Sequence, residues 1–264
     1  MRRLPIAAFL LLLTACGPAE RAPSPLPEVL RLPAGEVAYQ PPGEALRAGR
    51  PVTPVPLIAR YPHGLSIMKR QVSQAEYAAC VQAGGCKPLD AAQRQAAAPD
   101  LPAVGISWTD ATAYAVWLSA RTGQRWRLPT YPEWIYAAGE AYREALRLPD
   151  SDDPAQRWLA EYDAQSQRQQ EDTDVLPFGA FGVNDRGLMD MAGSVWDWTS
   201  DCHARRILDA PDGDADAGRN CGIRVAAGRH IAYLPDFIRD PKSGACSVGT
   251  PPANLGLRLV REEG

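Results

Sequence analysis

Residues 183–201 read VNDRGLMDMAGSVWDWTSD, and the fold turns on how this stretch is read. Trp196 and Trp198 flank Asp197 at strand spacing. An extended backbone sends both indoles to one face and the acid to the other. Just upstream, Asp190, Gly193, Val195 and Asp197 can curl into a turn that offers two carboxylates and two carbonyls to a hard cation. The segment is therefore expected to be a strand at the centre of the fold, entered through a polar turn.

Working outward, the N-terminus carries a different message. MRRLPIAAFLLLLTACGP has Arg2 and Arg3, an apolar run from Leu4 to Leu13, and small residues before Cys16. The run is too short for a permanent transmembrane helix and fits a secretory signal. A cysteine after small residues resembles a bacterial lipoprotein signal, so residues 1–15 are expected to be removed and Cys16 lipidated. Gly17 in place of an aspartate points to the outer membrane over the inner. The periplasm-facing address permits disulfides. Loss of residues 1–15 removes two arginines and no acid, taking the formal charge from −3 to −5. No basic run survives to bind nucleic acid, so membrane contact is expected through the lipid anchor alone. Residues 16–35 read as a Pro-rich tether, and 36–264 as one domain.

Within that domain, prolines between Val37 and Arg60 predict short edge strands and turns. Three helices announce their starts. Ser73 with Glu76, Ser107 with Asp110, and Thr130 with Glu133 each have the spacing of a capping box, and glycines at 84–85 and 123 stop the first two. Trp126–Leu128 reads as a short strand, Gln165–Asp174 as a surface insertion, and the alternating Leu255, Leu257 and Leu259 as a final strand buried on one face. Cys80 and Cys86 in CVQAGGC are spaced to close a small disulfide loop, a metal pair being the alternative. Cys202 and Cys221 are expected to close the acidic loop between them, which leaves Cys246 unpaired or competing for one of them.

Four segments in order, VSQAEYAACVQAG, VGISWTDATAYAVWLSARTGQRWRLPTYPEWIYAAG, GVNDRGLMDMAGSVWDWTSDC and NLGLRLVR, resemble the formylglycine-generating enzyme, or sulfatase-modifying-factor, family. The resemblance implies an α+β fold, a loop-rich variant of the C-type lectin fold with short strands, few helices and bound calcium. It implies calcium donors at Asp190, Gly193, Val195 and Asp197, with Asp197 one methylene shorter than the usual glutamate. A second family calcium site is not expected, because its aspartate falls near Gly179.

The family's catalytic segment is Arg-Gly-Gly-Ser followed by two cysteines that bind copper(I) through soft sulfur. Here RVAAGRHIAYLPDF aligns so that Gly228 takes the second glycine, Arg229 the serine, and Ala232 and Phe237 the two cysteine positions. Neither of those side chains can bind a metal, so no copper is expected and no catalytic residue is assigned. The resemblance then implies a periplasm-facing lipoprotein acting as an accessory, maturation or binding factor. Its partner is expected to be a periplasmic protein or a small ligand, held in a groove lined by Trp196, Arg229, His230 and Tyr233. The alternative is an oxidoreductase acting on a periplasmic protein or siderophore through a non-standard site.

Overall fold

The computed structural model describes residues 26–91, 95–142, 174–210, 218–243 and 252–263, with 156 and 159 as isolated positions. It is the expected α+β arrangement, with three sheets and three α-helices among the described residues. The first sheet has four strands in the order β1 (Val29–Leu32), β6 (Leu65–Met68), β12 (Val260–Arg261) and β7 (Trp126–Arg127). The second is built on β8 (Val195–Ile207), which pairs antiparallel with β9 (Arg219–Ala227) and parallel with β3 (Glu44–Arg47) and β11 (Asn254–Gly256). At its edges β10 (Ile231–Pro235) pairs with β9, and β4 (Arg50–Pro51) with β3. The third is a ribbon of β2 (Gly35–Tyr39) and β5 (Leu57–Tyr61).

Each helix starts where its capping residues require. In α1 (Gln74–Gln82), α2 (Trp108–Thr122) and α3 (Tyr131–Ala138), the side chains of Ser73, Ser107 and Thr130 accept the backbone N–H of the residue three positions on. The acid at that position returns a bond to the cap's own N–H, closing the box in all three. Gly123 ends α2 in the left-handed conformation at φ 68°, which costs a residue without Cβ little.

Both faces of the β8–β9 pair are covered. Trp196, Trp198 and Ala226 face a core with Tyr77 and Cys80 of α1 and Ala111, Tyr114 and Leu118 of α2. Val225 and Ala227 face a second core with Trp134 and Ile135 of α3 and Ile67 of β6. The period-two alternation expected for the Trp-Asp-Trp run is what positions these groups. Asp197 on the opposite face is also buried, at 1 % exposed, so it lies within protein.

Two expectations change. The Pro-rich tether was expected to run to residue 35, but Val29–Leu32 is a strand of the first sheet and Leu32 is buried, so the domain begins earlier. Apolar residues at 29, 30 and 32, between Pro27 and Pro33, were the available signal. The C-terminal run is not one strand buried on one side: it splits into β11 and β12, and Arg258 between the buried leucines is itself fully buried. The insertion at 165–173, residues 211–217 of the acidic loop, Cys246 and Cys16 lie outside the described residues.

Candidate functional site

The centre of the molecule is an ion pair. Asp197 Oδ2 accepts Nε–H of Arg258 at 3.0 Å and the indole N–H of Trp134 at 2.9 Å. Arg258 also donates to the carbonyls of Lys69 (3.2 Å) and Met189 (2.9 Å), joining β8, α3, the end of β6 and the 183–191 loop. The flanking indoles are tied in turn, Trp196 Nε1–H to the His230 carbonyl and Trp198 Nε1–H to the Ile106 carbonyl. An arginine in an alternating leucine run was the sequence signal for this partner, masked by the rule that polar positions in such a run face solvent.

The turn before β8 is held in an unusual backbone. Asp190 and Ala192 both have φ 56°, a region that non-glycine residues enter at a cost. Asp190 offsets it locally, because its carboxylate oxygens accept the backbone N–H of Gly179 (2.7 Å) and Phe181 (2.9 Å). Gln71, Asp190, Ser194 and Val195 border a cavity of about 10 Å³, the size of one water.

The predicted calcium donors fit in part. Asp197 Oδ1 is buried with no hydrogen-bond partner, and a cation would satisfy that orphaned acceptor. Asp190 has less to give, since both its oxygens are occupied by N–H donors, and Arg258 already brings positive charge to Asp197. No group of three or more His, Cys, Asp or Glu side chains converges among the described residues. A calcium ion here would therefore rest on Asp197 Oδ1 and on carbonyls of the turn, Gly193 and Val195 among them.

The four expected groove residues do not share one surface. Trp196 (3 % exposed) and His230 (7 %) touch edge to face at 5.2 Å inside the protein. Arg229 lies beside them at the edge, its Nε–H donated to the Ala192 carbonyl and its guanidinium 5.7 Å from the Phe181 ring. Tyr233 is elsewhere: alternation along β10 sends Ala232 and Leu234 to the Trp196 core and Tyr233 to the other face. There it packs edge-on to His203 at 5.1 Å and accepts the Gly43 N–H, while burial pushes its hydroxyl up to about 12. Gly228 explains the closure, because a Cβ at that position would come within 2.6 Å of the Trp196 indole. The tryptophan packs flat on the backbone and fills the space a groove would need.

Two further clusters were not foreseen as sites. Asp110 is bound bidentately by Arg239, at 2.7 and 2.9 Å. Burial alone would raise the carboxyl, but the bonds from Arg239 and Ser107 hold it below its ordinary value. Asp201 is raised by burial, despite accepting the Tyr131 N–H at the start of α3, with the nearby Glu133 adding to the rise.

The chain matches the family profile described as the sulfatase-modifying factor enzyme 1-like domain over residues 15–263. It belongs to the sulfatase-modifying factor family. Relatives include the formylglycine-generating enzyme of Streptomyces coelicolor, 29 % identical over 174 residues that cover 62 % of this chain and 54 % of the relative. The Bos taurus formylglycine-generating enzyme is 31 % identical, covering 62 % of this chain and 45 % of its own. The Bos taurus protein named inactive C-alpha-formylglycine-generating enzyme 2 is 27 % identical, covering 59 % and 54 %. The chain thus spans about half the length of the curated relatives it matches. Among solved structures, PvdO from Pseudomonas aeruginosa superposes with a TM-score of 0.57 at 22 % identity over 90 % of this chain and 95 % of that one, which gives the fold: the formylglycine-generating-enzyme-like variant of the C-type lectin fold. Of the two positions expected from the sequence resemblance to stand for the family's cysteines, Ala232 is buried opposite Ala226 on the β9–β10 ladder, and Phe237 is 71 % exposed beyond the end of β10.

Proposed function

We propose that this member of the sulfatase-modifying factor family is a lipid-anchored protein of the bacterial cell envelope that acts without copper oxidase chemistry, as an accessory, maturation or binding factor for a periplasmic enzyme or pathway. The observation that carries the reading is the pair Ala232 and Phe237. One is a methyl group in the core and the other a ring in solvent, and neither offers a donor atom where two thiolates would hold copper(I). A relative named inactive supports the idea that the fold is used apart from that reaction.

A binding role would use the molecule's edge and not an enclosed cleft. Arg229 and Phe181 lie at the rim of the Asp190 turn, and calcium at Asp197 would serve to stiffen that rim. Anaerobic copper(I) titration of the mature protein tests the reading. No tight stoichiometric binding is expected, whereas one copper per chain, lost on Cys246→Ser, would overturn it. Pull-down from envelope extracts, with Arg229→Ala as the comparison, would then identify the partner.

A further inference from the structure

The two disulfides among the described residues are built differently. Cys80 and Cys86 are both in the core, at 0 % and 8 % exposed. In the other, Cys202 is 5 % exposed but Cys221, near the start of β9, faces solvent. A break in the β8–β9 register at Cys202 sets that residue opposite Arg224 and not opposite Cys221. Residues directly opposite on a ladder share a face, and Arg224 Nη1 lies 3.1 Å from Cys202 Sγ.

Arg224 is held there. Nη1 also donates to the Ser200 carbonyl at 3.3 Å, and the guanidinium stacks 3.6 Å over the Trp108 ring, whose N–H is fixed on the Thr199 carbonyl. No carboxylate forms an ion pair with Arg224 among the described residues, and its Nε is buried with no hydrogen-bond partner. Burial and the nearby Arg219 disfavour its charged form, with Asp236 opposing them. The cation beside Cys202 Sγ is thus incompletely compensated, and a thiolate at that sulfur would compensate it.

We propose that Cys202–Cys221 is a reactive disulfide that exchanges with dithiols, with Cys221 as the sulfur attacked and Cys202 as the leaving thiolate. One thiolate of the dithiol forms a bond to Cys221 Sγ as the Cys202–Cys221 bond breaks, and the electron pair departs on Cys202 Sγ, where Arg224 holds it. The second thiol of the dithiol, deprotonated by water, attacks the mixed disulfide and releases Cys221 as a thiolate that takes up a proton. The dithiol is oxidised to its disulfide and the two cysteines are reduced. Exposure selects the electrophile, and a stabilised leaving group both speeds exchange and favours the reduced form. A basic residue at the buried sulfur is what separates this disulfide from a structural one.

The test equilibrates the full chain in dithiothreitol buffers of stepped reduced-to-oxidised ratio, quenches with acid and reads each cysteine pair by differential alkylation and peptide mass spectrometry. Cys202–Cys221 is expected to reach half-reduction at a ratio at least tenfold lower than Cys80–Cys86, about 30 mV for a two-electron couple. Arg224→Met is expected to remove about that tenfold advantage, Arg224→Lys to keep most of it, and both to leave Cys80–Cys86 unmoved. Co-titration of the two disulfides in the wild-type protein, or an Arg224→Met equilibrium equal to wild type, would overturn the proposal. Should the Met variant not fold, the pH dependence of Cys202 alkylation in the reduced wild-type protein decides: a thiol titrating below the ordinary range near 8.5 supports it, and one at or above that range overturns it.

Discussion

Replacing Arg258 by methionine leaves Asp197 buried at 1 % exposed with only the Trp134 N–H as a donor, and takes the guanidinium from the carbonyls of Lys69 and Met189. Breaking a buried pair by removing one partner costs roughly 3–5 kcal/mol, most of it the uncompensated charge. Two carbonyls losing a donor add about 1 kcal/mol each where water cannot replace it. A total of about 5–7 kcal/mol is therefore expected, which at roughly 2–4 °C per kcal/mol for a domain of this size lowers Tm by about 10–28 °C. Urea denaturation at fixed calcium measures it, with Arg60→Met as the control. The Arg60–Glu36 pair has the same chemistry at 69 % and 59 % side-chain exposure, and its loss should cost less than about 0.5 kcal/mol. The double variant Arg258→Met, Asp197→Leu should recover most of the loss, short of the indole N–H left without an acceptor. A cost below about 1 kcal/mol for Arg258→Met, or a double variant as unstable as the sum of the singles, would refute the view that a compensated charge pair organises the core.

Other outcomes follow from the same geometry. Gly228→Ala should destabilise by about 1–3 kcal/mol through overpacking against Trp196, read as a lowered denaturation midpoint at unchanged slope. Asp110 is depressed in the folded state, so its contribution is present above the ordinary value of 3.8 and is lost as pH falls through its lower folded value; Asp110→Asn should flatten the acid limb of the stability profile. Asp201 has the opposite sign. Its raised folded value makes its contribution greatest below 3.8 and lost as pH rises, so Asp201→Asn, which keeps an acceptor for the Tyr131 N–H, should gain on wild type as pH is raised from 3 to 7. If calcium sits at Asp197 Oδ1, chelator should lower Tm by several degrees in the wild type and not in Asp197→Asn. Cys16→Ser should release the protein from membranes into the soluble fraction.

Much of the local structure was legible because its causes are local. The three capping boxes lie within four residues of chain each, and all three form. The alternation of Trp196, Asp197 and Trp198 is a property of an extended backbone, and the short loop of CVQAGGC leaves its two cysteines little choice of partner. The candidate site was less legible. Arg229, His230 and Tyr233 fall close together in the chain and the family resemblance added Trp196 to them, yet the pleat of β10 and the flat seat of Trp196 on Gly228 divide the four between two faces.

By itself the sequence determined the helix starts, because a capping box rests on spacing within one turn; its resemblance to a family gave the fold class, and its cysteine spacing favoured both disulfides while leaving Cys246 in competition for the second. Only the tertiary structure decided that Asp197 meets Arg258 across 61 residues of chain, and that a register break places Arg224 against Cys202. Burial and charge compensation are properties of what lies across the sheet, and no one-dimensional pattern specifies which element will be there.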